Sequence, residues 1–104
     1  MKILQVASGD FFSTYGGGQV YVKNIVDEMI SMQINVCVLS FVSFHHEVKA
    51  KQYKGIPLYE IGTGLDEDIE KVIDILHPDV IHTHSHKALV CSIGKRKNIP
   101  VVVT

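Results

Sequence analysis

Ile3-Leu4-Gln5-Val6-Ala7 is a short, nearly unbroken apolar run, the pattern of a buried strand. Residues 8–15, rich in turn formers and aromatics, read as a loop that leads into Gly16-Gly17-Gly18. The period then changes. Val22, Ile25, Val26, Met29 and Ile30 recur at helical spacing, with Lys23, Asn24, Asp27, Glu28 and Ser31 on the other side, which predicts an amphipathic helix. Val36-Cys37-Val38-Leu39-Ser40-Phe41 is a second buried strand. Residues 42–55 lack a clear period and hold two histidines and three lysines, so a polar connection or a short irregular helix is expected there. Pro57-Leu58-Tyr59-Glu60-Ile61 makes a third, weaker strand, ended by Gly62-Thr63-Gly64.

The second half repeats the alternation. Asp66 reads as an N-cap, with Glu67 and Asp68 in a first turn that favours acids. Ile69, Val72, Ile73 and Leu76 form the buried stripe, and Pro78 stops the helix. Val80-Ile81-His82-Thr83-His84 is a fourth strand; Ser85 is expected to cap a helix running to about residue 97, whose last turn holds Lys95, Arg96 and Lys97. Pro100-Val101-Val102-Val103-Thr104 is a fifth strand. Five apolar strands joined by helices predict a parallel sheet covered on both faces. With right-handed crossovers this is an α/β, Rossmann-like doubly wound domain in three α/β/α layers, a single domain over residues 1–104.

Composition narrows the function classes. Ten Lys and Arg stand against eleven Asp and Glu in 104 residues, which lacks the basic excess of a nucleic-acid binder. No apolar run is long enough to span a membrane, and the N-terminus does not read as a signal peptide. Cys37 and Cys91 do not make a disulfide framework; both are expected as buried free thiols in a reducing cytosol.

Two loops carry the candidate chemistry, since ligands of open α/β sheets bind beyond the carboxyl ends of the strands. Gly16, Gly17 and Gly18 open the first helix, where unpaired amides and the helix dipole attract a phosphate or a sugar hydroxyl. Neither a P-loop nor a tight Gly-x-Gly-x-x-Gly is present, and the second strand ends in Ser40-Phe41-Val42 without a ribose-binding acid. Nicotinamide and flavin chemistry are therefore disfavoured, and no cofactor is expected. His82, His84 and His86 alternate along the end of the fourth strand and the loop after it. His82 is expected as a core histidine, while His84 and His86, nearer the strand end, are placed to hydrogen-bond a substrate. A zinc hydrolase built on these three histidines is the alternative; Glu60 and Asp10 are its only other nearby ligand candidates, and no metal site is expected. His45 and His46 read as solvated. His77 falls at a helix C-terminus, where a partly charged imidazole is favoured.

On Gly16-Gly17-Gly18-Gln19, the helix after it, Val36-Cys37-Val38-Leu39-Ser40, Pro78-Asp79-Val80-Ile81-His82-Thr83-His84-Ser85 and Ile99-Pro100-Val101-Val102-Val103-Thr104, the chain resembles the N-terminal half of the retaining glycosyltransferases with the GT-B fold, group 1. The resemblance implies a two-domain enzyme in which this half holds the acceptor, a glycan or lipid, and an absent C-terminal half holds the nucleotide-sugar donor. It places Gly16, Gly17, Gly18 and Gln19 toward the donor phosphates or the acceptor, and His84, Ser85 and His86 around the acceptor pocket. The family's active-site histidine, in a Thr-x-His pattern past the fifth strand, and its paired glutamates have no counterpart in residues 1–104. No catalytic residue is therefore expected in this chain, and the fragment alone is expected to be inactive. Gln33-Ile34 stands where the family has Gly-His, so a poorly defined helix end is expected. The family's domain also has more strands than five. A cytoplasmic, peripherally membrane-associated location is expected. So is self-association, or packing against the rest of the enzyme, through the last strand. A non-catalytic interaction fragment is a third reading.

Overall fold

The structure, a computed structural model, describes residues 1–9, 11–12, 17–42, 48–62 and 66–104, with residues 17–19 described by their backbone alone. In chain order the elements are β1 (Lys2–Ser8), α1 (Gly17–Ser31), β2 (Asn35–Phe41), β3 (Lys49–Tyr53), β4 (Ile56–Ile61), α2 (Asp66–Leu76), β5 (Val80–Thr83), α3 (Lys87–Arg96) and β6 (Val101–Val103). The strands form one sheet in the order β3-β4-β2-β1-β5-β6. Every neighbouring pair is parallel except β3 with β4.

The pleat sorts the core. Leu4, Val6, Leu39 and Ile81 face the side covered by Ile69, Val72 and Ile73 of α2 and Val90 and Ile93 of α3. Ala7, Val36, Val38 and Leu58 face the other side, under Val22 and Val26 of α1. Alternate residues of each strand thus serve opposite layers, giving the expected α/β/α sandwich. α1 packs on β1 and β2. The β5–β6 end of the sheet on that side is less covered, and this shapes the site below.

Four expectations need correction. First, the sheet has six strands among the described residues, because Lys49–Tyr53 is a strand rather than part of a connection or helix. Its residues are mostly exposed, so it is held by ladder bonds and not by an apolar pattern. Lys54 and Gly55 both have positive φ, 48° and 85°, and join Tyr53 to its partner Ile56 in a tight hairpin, as a two-residue turn of the I′ kind requires.

Second, α1 does not fray. Gln33 takes φ 60°; its N–H donates to Ile30 O at 3.0 Å and the N–H of Ile34 to Met29 O at 2.9 Å. This paired bonding is a Schellman end with glutamine in the position that favours glycine. Third, Ser85 makes no capping bond to α3, whose N-cap is His86 with φ 52°. Fourth, Cys37 is buried but Cys91 is only partly so; both are free, and burial pushes the Cys37 thiol up to about 11. Asp66 is the first residue of α2, and Asp66, Glu67 and Asp68 all lie in its first turn, where acids complement the dipole. His45 and His46 fall outside the described residues.

The end of the sheet opposite the candidate site is tied shut. The Lys2 N–H donates to Asp79 Oδ2 at 2.7 Å, the Asp79 N–H returns to Lys2 O at 2.8 Å, and Lys2 Nζ donates to the last-turn carbonyl of Leu76 at 2.7 Å. Lys2 and the Asp79 of the fourth-strand motif therefore form a structural clasp between β1, the end of α2 and the start of β5.

Candidate functional site

From β1 the chain crosses to β2 on one side, while β5 lies on the other. The gap between the carboxyl ends of β1 and β5 is the topological switch point, where open α/β sheets form their ligand crevice. A cleft of about 300 Å³ lies there, lined by Ser8, Tyr21, Val22, His84, Ser85 and Thr104. Ser8 ends β1, Tyr21 and Val22 belong to the early turns of α1, and His84 and Ser85 follow β5. The N–H of His84 still donates to Val6 O at 3.0 Å, and that of Thr104 to Thr83 O at 3.2 Å. Sheet bonding therefore continues into the cleft walls and fixes the backbone of these two residues.

The loop leaving β1 is anchored from below. Gly9, at φ 95°, donates its N–H to Phe41 O at 2.7 Å and accepts the buried Ser40 hydroxyl on its carbonyl. Ser40 occupies the place where a nucleotide-binding fold would carry an acid, and here it holds the root of the glycine loop. Gly17 and Gly18 open α1 as expected. Gly16 lies outside the described residues, and of Gln19 the backbone position in the first turn is described.

The imidazoles are arranged unequally. His84 Nε2 lies 2.8 Å from Oε1 of Gln5, a residue with no exposed surface. The exposed ring of Tyr21 meets His84 edge-on, with centroids 5.9 Å apart. His82 packs its ring 4.1 Å from His84 and hydrogen-bonds Thr104 Oγ1 through Nε2. It is partly exposed, not the core histidine expected, because α1 packs on β1 and β2 and leaves this part of β5 open. Burial holds both His82 and His84 below the ordinary imidazole value, and at His84 the charges of His82 and Lys87 add to the effect. Both shifts favour the neutral ring.

His86 is separate. Its ring lies 3.9 Å from that of Phe41 at the end of β2, its Nδ1 is 2.7 Å from Ser85 Oγ, and it does not line the cleft. Among the described residues no three His, Cys, Asp or Glu side chains come together as a metal-binding group, so the zinc hydrolase alternative gains no support. A second depression, about 350 Å³, lies on the β3–β4 hairpin beside Lys51, Gln52, Pro57 and Tyr59, and the Lys51 ammonium there is already paired with Glu60.

Of the residues expected at the site, His84 and Ser85 line the cleft; Ser8, Tyr21 and Thr104 line it without having been expected there, and the unexpected Gln5 is buried behind His84. Gln5 had a signal, since a lone amide inside an apolar strand must find a buried partner. Tyr21 had none, because its neighbour lies 63 positions on.

A mostly parallel sheet between helix layers, with a cleft of hydroxyls and imidazole at its switch point, defines a Rossmann-like α/β domain. Against family models, residues 15–104 match Glycosyltransferase Family 4. The chain belongs to that family, as a domain of the kind found N-terminally in GT-B group 1 glycosyltransferases. No curated protein and no solved structure matches it.

Proposed function

We propose that this chain is the acceptor-side domain of an enzyme that moves a sugar, with retention, from a nucleotide-sugar donor to a glycan or lipid acceptor. The observation that carries this reading is the lining of the switch-point cleft in a glycosyltransferase domain. Ser8, Tyr21, Ser85 and Thr104 supply hydroxyls, His84 supplies an imidazole, and no described lining residue is a lysine or arginine. Such a wall suits the hydroxyls and ring face of a sugar better than a diphosphate, which calls for cations or a ring of amides.

In the transfer, an acceptor hydroxyl oxygen bonds to the anomeric carbon, the bond from that carbon to the diphosphate oxygen breaks with its electron pair going to the diphosphate, and the nucleoside diphosphate leaves, taking up the acceptor's proton. Two tasks follow: aligning the acceptor hydroxyl and stabilising the departing charge. The cleft suits the first. The second falls to a donor-binding domain facing it, helped by the amides at the start of α1 around Gly17 and Gly18. The domain alone is inactive on this reading. No helix among the described residues is long and apolar enough to cross a membrane; the proposed setting is the cytoplasm, with peripheral access to a lipid acceptor.

The test is a titration of the ¹⁵N-labelled chain with methyl pyranosides and, separately, with a nucleoside diphosphate. Pyranosides are expected to move the amides of Tyr21, His84 and Ser85, and the diphosphate those of Gly17 and Gly18. The acceptor reading fails if no pyranoside moves the first set.

A further inference from the structure

Gln5 is fully buried in the middle of β1, and its amide has two partners from opposite directions. Nε2 lies 3.6 Å from the thioether sulfur of Met29 in α1, and Oε1 lies 2.8 Å from His84 Nε2. A thioether accepts but cannot donate. The amide NH₂ therefore faces Met29, the carbonyl faces His84, and the hydrogen in the His84 contact belongs to the imidazole. A neutral imidazole carries one such hydrogen, so Nδ1 keeps its lone pair. Nδ1 has no hydrogen-bond partner among the described residues and is not a buried atom, and the ring it belongs to lines the cleft.

We infer that Gln5 is a positioning residue, holding His84 in its Nε2–H form so that Nδ1 accepts a hydrogen bond from a hydroxyl of the bound acceptor. The sugar part of this inference rests on the acceptor reading above; the control of His84 by Gln5 does not. The surroundings agree with it. His82 and Tyr21 pack against His84, the charges of His82 and Lys87 disfavour a second proton on it, and no described carboxylate contacts it to favour the doubly protonated ring. Met29 in turn aims the amide, so α1 reaches the site through the core as well as through its glycine end.

The test is imidazole ¹⁵N spectroscopy of the full chain near pH 7.5. The wild-type protein is expected to show a pyridine-type Nδ1 and a slowly exchanging Nε2–H at His84. In Gln5→Met, similar in length but without a carbonyl, that N–H exchanges rapidly. In Gln5→Glu the new carboxylate draws a second proton onto the ring, and the His84 titration moves up by about one unit or more. A wild-type Nδ1–H form overturns the inference whether or not either variant folds; so does a Gln5→Met protein that keeps the slow proton.

A panel of methyl gluco-, galacto- and mannopyranosides then reads the sugar part. At least one is expected to shift His84 Nδ1, and Gln5→Met to weaken that pyranoside by about 3- to 10-fold, the effect of one hydrogen bond. If none shifts Nδ1 while the tautomer result holds, the acceptor reading falls and the role of Gln5 in fixing the ring stands.

Discussion

A Cβ on Gly94 would clash with Cγ2 of Val101, with the carbonyl oxygen of Ile99 at 3.0 Å. Gly94 is thus where α3 closes onto β6, and its lack of a side chain sets their spacing. Gly94→Ala gains about 1 kcal/mol of helix propensity and meets an overpacking cost of about 1–3 kcal/mol. A net loss is expected, seen as a fall in Tm. In a Val101→Ala background the same change should cost less, because the clashing methyl is gone. Equal costs in both backgrounds would disprove the contact.

Gln33→Gly should stabilise the protein. The left-handed conformation costs a side-chain-bearing residue about 1–2 kcal/mol, and part of the gain is returned through the freer unfolded chain. A net increase of about 0.5–1 kcal/mol in urea denaturation is expected, with an unchanged denaturant slope. A decrease would mean that the Gln33 side chain contributes more than its backbone costs.

Glu60 is 2% exposed, and Lys51 Nζ lies 2.7 Å from its Oε1. Lys51→Met leaves that carboxylate buried without its cation and should cost about 1–3 kcal/mol. Adding Glu60→Gln removes the stranded charge and should recover most of the loss. Failure of the double variant to recover would show that Lys51 acts through its packing alone.

His82 and His84 are held below the ordinary imidazole value of about 6.5 by burial first. Their unfolded forms therefore bind protons before the folded ones do. Stability from this source is complete above about pH 6.5, falls as pH drops from there, and levels off below the folded pKa values. Thermal melts from pH 7.5 to 5 should show the decline, and a His82→Gln/His84→Gln variant a flatter curve. A rise in stability on acidification would reverse the assignment.

Val102 and Val103 of the outer strand β6 are 52% and 47% exposed. An apolar outer strand pairs readily with another. The average mass in sedimentation should rise with concentration, and Val103→Lys should suppress the rise. A single mass over a tenfold concentration range would rule out pairing of copies through this edge.

The parts of the fold legible in the sequence are those held by apolar burial. β1, β2, β5 and β6 announce themselves as runs of Val, Ile and Leu, and α1 and α2 by a 3.6-residue stripe. β3 was not legible, since Lys49, Ala50, Lys51 and Gln52 are recruited by the backbone edge of β4 and carry little apolar signal; the Lys54-Gly55 turn was the one clue. The site was legible at His84 and Ser85, whose type and position after a strand suggest chemistry. The bond from Gln5 to His84 joins residues 79 positions apart and exists only once β1 and β5 are neighbours. Gln33 shows the converse: a missing glycine suggested a loose end, yet the backbone bonding there is strong enough to impose the conformation.

The clasp of Lys2, Asp79 and Leu76 divides the labour between the two rims of the sheet. Folding is secured at the base, by main-chain atoms, the Asp79 carboxylate and a buttoned lysine. The opposite mouth is thereby released from that duty. Loops there can diverge, and with them the range of molecules accommodated, without renegotiating how the chain finds its shape.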